Sequence, residues 1–150
     1  MPIKIRMAVK DDLETLVHFN SSLAEETEST ILDKARVTAG VKAALDDPQK
    51  GFYLIAESDG QPAGGLLVTT EWSDWRNAMF WWIQSVYVEK ESRQRGVYTA
   101  LHRYVEKLAR ENKSVCGIRL YVDHDNSSAQ ATYEKLGMQP GRYRFYETKL

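Results

Sequence analysis

An apolar strand that runs into a glycine loop and then straight into a helix leaves this chain few architectures. Met79 to Val88 is the longest strand candidate, and it leads into Glu89-Lys90-Glu91-Ser92-Arg93-Gln94-Arg95-Gly96. Val97, Ala100, Leu101, Tyr104, Val105 and Leu108 then recur at the three-and-four spacing of one helical face. A helix start exposes unpaired backbone N–H groups and the positive end of the helix dipole. A pyrophosphate can sit there without a metal. Gly96 removes a side chain where backbone must approach an anion, and Arg93 and Arg95 add positive charge beside it. The plain alternative is a loop glycine flanked by solvated arginines. A dinucleotide-binding fold is a poorer rival, because no G-x-G-x-x-G and no following βαβ unit is present.

The rest of the chain frames that segment. Ile3, Ile5 and Met7 alternate with polar residues as a short strand. Asp11 or Asp12 caps a helix carrying Leu13, Leu16 and Val17 and reaching toward Leu23, and a second helix spans Asp33 to Leu45. Phe52 to Ala56 and Ala63 to Thr70 flank a hairpin signal at Asp59-Gly60, and Ser73 to Asn77 reads as another turn. After the amphipathic helix come a strand from Cys116 to Val122, a helix from Ser127 to Leu136, and a last strand from Gly141 to Thr148. Mixed order of this kind predicts a mixed sheet with helices on both faces.

Charge and composition exclude several classes. With 150 residues the chain fits a single domain over 1–150, and a hydrophobic share of 43% suits a packed core. A net charge of -1 carries no broad footprint for nucleic acid. The single cysteine, Cys116, forms no intrachain disulfide and no cysteine metal cage, which fits a cytoplasmic setting. Neither a signal-peptide run nor a membrane span is legible. His124 stands beside Asp123 and Asp125, but so short and open a cluster reads as a solvated loop, so no metal is expected.

Arg93-Gln94-Arg95-Gly96-Val97-Tyr98 resembles the Q/R-x-x-G-x-G/A signature of the GNAT acyltransferase superfamily. Some thirty residues later, Asn126, Ala129, Tyr133, Lys135, Gly137 and Met138 resemble the family's second motif, N-x-x-A-x-x-x-Y-x-K-x-G-F/M. Alone, Asn126 would be a helix cap and Tyr133 a half-buried core aromatic; the pairing of the two motifs favours the resemblance. It implies a mixed, mostly antiparallel sheet of six to seven strands flanked by about four helices. It implies acetyl-coenzyme A as acyl donor, held at its phosphates by Arg93, Gln94, Arg95, Gly96, Val97, Tyr98 and Thr99, with Asn126 as a further cofactor-binding residue. Val86, Tyr87 and Val88 would pair with the pantetheine arm, and Tyr133 would be the general acid at sulfur. Tyr98 departs from the pattern, standing where the family usually has Gly or Ala, so its ring must point away from the ligand or flank it.

The implied reaction is direct attack of an amine on a thioester carbonyl. The amine must lose a proton, yet Phe80-Trp81-Trp82-Ile83-Gln84 carries no carboxylate to take it. Glu71, Asp74, Glu28 and Glu25 are the candidates for the base. Cys116 is a poor nucleophile candidate, and His18 and His102 lie far apart in sequence. Glu25, Glu28, Trp72, Asp74 and Trp75 combine carboxylates with indole faces, which suits a small cationic acceptor. A solvated helix end and a packed aromatic hairpin are the bland alternative. Two rival functions remain open: a non-catalytic coenzyme A-binding regulatory module, and an enzyme that acetylates a lysine or N-terminus of a protein. No nucleic acid or membrane partner is expected, and self-association into a homodimer is open.

Overall fold

The computed structural model describes residues 2–150. Alternating or continuous apolar runs become β1 (Ile3–Met7), β2 (Phe52–Ser58), β3 (Gln61–Ser73), β4 (Ala78–Val88) and β5 (Val115–Leu120). The helices are α1 (Leu13–Glu28), α2 (Lys34–Asp46), α3 (Val97–Glu111) and α4 (Ser127–Lys135). The strands lie side by side in chain order, antiparallel from β1 to β4. β5 is parallel to β4, as a connection through the α3 helix permits.

Period-two alternation divides the core between the two sheet faces. Leu54 and Ala56 of β2 join Leu66, Val68, Trp81 and Ile83 beneath Val97, Leu101 and Val105 of α3. Tyr53 and Ile55 point the other way and meet Leu16, Val17 and Phe19 of α1 and Val41 and Ala44 of α2. Gly64 sets how closely strand and helix approach. A Cβ there would stand 2.6 Å from the Tyr87 carbonyl oxygen and 3.3 Å from Val97, so only glycine lets the end of β4 and the start of α3 close over β3.

The mixed class and the helix count agree with the sequence reading, but the sheet has five strands, not six to seven. The expected strand from Gly141 to Thr148 does not form. Its alternating aromatic and charged side chains are all exposed, and its backbone finds no ladder to join. Helix α1 runs a turn beyond the expected end at Leu23. Thr27 returns its hydroxyl to the Leu23 carbonyl at 2.8 Å, and the helix stops where Ser29 turns left-handed at φ 50°. Among the described residues no helix is long and apolar enough to cross a membrane.

Asp12, buried beneath the first strand, ties the N-terminal end of the fold together. Its carboxylate accepts from Arg6 Nη1 at 2.8 Å, Arg6 Nη2 at 2.9 Å and the Val9 amide at 2.7 Å. The Arg6 hydrogen bond holds this carboxyl below the usual carboxylate range, against an opposing effect of burial. A depressed carboxylate stabilises the fold above its unfolded pKa of about 4, and the contribution fades as pH falls through the lower folded value. Asp12→Asn is therefore expected to cost about 2 kcal/mol at neutral pH. Denaturant titrations should show the difference from the parent shrinking below about pH 4, and a pH-independent difference would contradict this reading.

Candidate active site

The site is built around the point where β4 parts from β5. The parallel ladder begins at Met79↔Val115 and ends at Ile83↔Leu120, but β4 continues to Val88 with β3 still paired on its other side. From Gln84 to Val88 its β5-facing edge has no strand partner. A bulge falls within that stretch: Gly65 pairs with Tyr87 and Leu67 with Gln84, leaving Ser85 and Val86 opposite Leu66. Ser85 is left-handed at φ 52°. The bulge resets the alternation, so Val86 and Val88 pack toward α3 and Tyr87 turns to the α1 side.

Beyond β4 the chain makes two left-handed turns, Gln94 at φ 62° and Gly96 at φ 81°, and enters α3 with no side-chain cap. The backbone amides of residues 94–99 donate to no backbone acceptor among the described residues. A Cβ built on Gly96 would meet nothing within 4 Å, so the glycine serves its conformation and faces open space. Arg95 is exposed beside it, with no ion pair among the described residues. These features fit a pyrophosphate: convergent free amides, a helix dipole, a free cation and room.

Arg93 is placed differently from the expectation of a phosphate-binding side chain. Its Nε donates to the Val88 carbonyl at 2.9 Å and its Nη2 to Glu26 Oε1 at 2.8 Å. Tyr87 donates its hydroxyl to Glu26 Oε2 at 2.9 Å. Glu26 thus clamps the end of α1 to the loop, and Arg93 first, then Tyr87, hold its carboxyl below the usual range. Sequence reading passed over Glu26 in favour of its neighbours Glu25 and Glu28. The available signal was helical spacing: His18, Ser22 and Glu26 form one i, i+4, i+8 stripe, and Phe19 beside it is buried against Tyr87.

Tyr133 stands on α4, its ring half-buried and 5.6 Å from the ring of Tyr98 in an edge-on contact. Burial pushes its phenol pKa up, so it is protonated at neutral pH. Its hydroxyl takes no hydrogen-bond partner among the described residues, which leaves it free to donate. Asn126 is the cap of α4: its Oδ1 accepts from the Ala129 amide at 3.0 Å. Cys116 is exposed and directs its thiol to the Met79 carbonyl at 3.3 Å. His124 lies in a turn whose carbonyl is taken by Gln130. Among the described residues no three His, Cys, Asp or Glu side chains converge on a metal-sized space.

The acceptor candidates are not all brought together. Glu25 and Glu28 are exposed at the end of α1. Trp72 pairs with Met79 and so shares the α3-side face, whereas Glu71 pairs with Phe80 on the α1 side. Trp75 and Asp74 sit in the hairpin turn, with Trp75 88% exposed. Glu71 is engaged: it accepts from Trp82 Nε1 at 2.8 Å and Arg119 Nη1 at 3.0 Å. Arg119 in turn lies 3.5 Å over the Phe80 ring, and Trp82 stacks on Tyr121 at 4.5 Å. Sequence reading did not single out Tyr121 or Arg119, because pairing across β4 and β5 creates this group and no local spacing announces it.

The family model described as the acetyltransferase (GNAT) family matches residues 14–138, which spans both motifs and the helix and strand between them. The chain belongs to the GNAT acetyltransferase family. A crystal structure of a possible acetyltransferase from Clostridium difficile 630 is 43% identical, with a TM-score of 0.93 over 100% of this chain and 99% of that one. A ribosomal-protein-alanine N-acetyltransferase from Brucella melitensis biovar Abortus 2308 shares the fold at 16% identity, with a TM-score of 0.80 over 99% of each chain. So does an aminoglycoside acetyltransferase from an uncultured soil metagenomic sample, at 18% identity and a TM-score of 0.76 over 100% of each chain. None of the curated proteins compared with the chain matches it. In this GNAT chain, α1 and α2 cover one face of the sheet and α3 the other.

Proposed function

We propose that this GNAT protein transfers an acetyl group from acetyl-coenzyme A to a primary amine of a small cationic acceptor. The observation that carries the reading is the continuity of the open β4 edge with the uncapped, amide-rich start of α3. The amides of residues 94–99 and the Arg95 side chain hold the pyrophosphate, with Gly96 providing the space. Arg93 contributes by fixing the loop to Val88 and Glu26. The free edge over Val86, Tyr87 and Val88 pairs with the amide-bearing arm of the donor, and Asn126 lies at the cap of the neighbouring helix. When bound, the donor supplies an activated acyl carbonyl.

The chain's own groups then divide the work. The Val86 N–H, on the bulge, polarises the carbonyl oxygen as charge develops there. Tyr133 gives its phenol proton to the departing thiolate. Glu26 is a poor base, since Arg93 and Tyr87 stabilise its ionised form. Glu71 is likewise occupied by Trp82 and Arg119. Glu25, Glu28 and Asp74 are exposed and carry no ion pair among the described residues, so the amine proton leaves to one of them or to water, and the rate is expected to rise with pH until the acceptor amine is deprotonated.

The acceptor approaches on the α1 side. Glu25 and Glu28 supply negative charge there, and the exposed Tyr121, stacked on the half-buried Trp82, offers an aromatic face to an ammonium group. The fold itself does not select an acceptor, since proteins named for ribosomal alanine and aminoglycoside acetylation share it. A screen with acetyl-coenzyme A that detects free thiol over polyamines, aminoglycosides, amino acids and peptides tests the class. Cationic small amines are the expected hits, and a screen returning only neutral, anionic or peptide acceptors overturns it. Glu28→Gln should raise KM for the cationic acceptor about two- to five-fold and leave a neutral analogue unchanged, as expected of an exposed ion pair.

A further inference from the structure

Tyr98 occupies the position where a small residue is usual in this loop signature, and the structure gives its ring a definite place. The ring packs edge-on against Tyr133, with centroids 5.6 Å apart and planes at 70°. Its hydroxyl meets Nδ1 of His102 at 3.0 Å, one turn along α3. His102 is 2% exposed, deeper than is usual for histidine. Its Nε2 lies 3.8 Å from Glu106, whose carboxylate is drawn to Arg103 at 2.6 Å and Arg110 at 3.8 Å. Burial lowers the His102 pKa, so the ring is neutral. A neutral ring with its proton on Nε2 accepts the Tyr98 hydroxyl at Nδ1.

Helix α4 explains why such an anchor is needed. None of its residues is fully buried, and the hydrogen bonds of Asn126, Gln130 and Thr132 stay within the helix and the turn before it. A phenol on so lightly held a helix has no fixed address of its own. The Tyr98 ring, locked from behind by His102, is the aromatic neighbour that holds it against α3. From this juxtaposition we propose that Tyr98, fixed by His102, is the positioning residue that holds the Tyr133 hydroxyl beside the open β4 edge. This rests on the reading of Tyr133 as the proton donor.

Two arms test it separately. In the first, Tyr98→Ala and Tyr98→Phe are assayed in the parent and in a Tyr133→Phe background. Tyr98→Ala should lower kcat about five- to ten-fold with KM for acetyl-coenzyme A unchanged, the scale expected of an edge-on aromatic pair. Tyr98→Phe keeps the ring, folds readily and should lose less. Neither change should lower the rate further once Tyr133 is Phe.

The second arm needs no turnover. The tyrosinate absorbance of the free protein is titrated, with the Tyr133 contribution isolated by subtracting the matching Tyr133→Phe protein. Tyr98 is the titratable group that faces Tyr133 from α3, with His102, Glu106 and Arg103 behind it. Removing the Tyr98 ring admits water, so the Tyr133 titration should move to lower pH in Tyr98→Ala, a change that a general loss of stability would not produce. An equal loss of kcat in the Tyr133→Phe background, or an unmoved titration, overturns the inference. A parental rate for Tyr133→Phe alone overturns the proton-donor reading instead, while the titration still reports whether Tyr98 holds Tyr133.

Discussion

Gly96→Glu is expected to abolish the stabilisation of this protein by acetyl-coenzyme A. A ligand bound only by the native state at 100 times its dissociation constant stabilises it by about 2.7 kcal/mol. For a chain of this size that is a rise of roughly 5–10 °C in Tm. In the variant, a carboxylate would stand among amides 94–99 where the pyrophosphate belongs, and the shift should vanish. Two effects of the substitution have to be separated. Gly96 sits at φ 81°, so any side chain there strains the backbone by about 1–2 kcal/mol. It faces open space, so no neighbour is displaced. Gly96→Asn carries a smaller conformational cost because Asn tolerates left-handed backbone, and it adds no charge. It should keep most of the thermal shift while Gly96→Glu loses it. If Gly96→Glu folds and keeps the full shift, the phosphates do not bind at this loop.

What the residues disclosed, and what they withheld, reflects the range of each interaction. The α3 face and the glycine before it are short-range patterns, and the structure places Val97, Leu101 and Val105 in the core as the spacing predicts. The β4 bulge is different. Ser85 and Val86 share one partner only because of how β3 meets β4, and nothing within Gln84-Ser85-Val86 announces it. The Glu26 clamp spans 61 residues to Tyr87 and 67 to Arg93, beyond any local rule. Residues 141–148 show the converse error. Their alternation is a strand pattern, but a strand also needs a neighbouring edge, and none pairs with them. The hairpin misled for a similar reason. Glu71 and Trp72 are adjacent in sequence yet face opposite sides of the sheet, so a cluster read along the chain divides in two when pleated.

Tyr133→Phe should lower the rate of acetyl transfer about 100-fold or more, the scale of a lost general acid, and leave acetyl-coenzyme A binding intact. The substitution removes one oxygen from a half-buried ring and keeps the edge-on contact with Tyr98. That oxygen takes no hydrogen-bond partner among the described residues, so its loss leaves no orphaned group and stability should barely change. The free energy lost belongs to the transition state, where the thiolate must gain a proton. A loss of kcat without a loss of ground-state binding is the signature of such an interaction. Burial raises the pKa of this phenol above the ordinary value of about 10, so the donor stays protonated through neutral and mildly alkaline pH. Any fall in the parental rate below that pH must therefore come from another group, and Tyr133→Phe should reduce the rate by a similar factor at pH 7 and pH 9. Steady-state turnover hides the effect if product release is slow, so the measurement is a single turnover with enzyme in excess over acetyl-coenzyme A. An unchanged single-turnover rate, with the thermal shift preserved, would remove Tyr133 from the chemistry and leave the thiolate to be protonated by solvent.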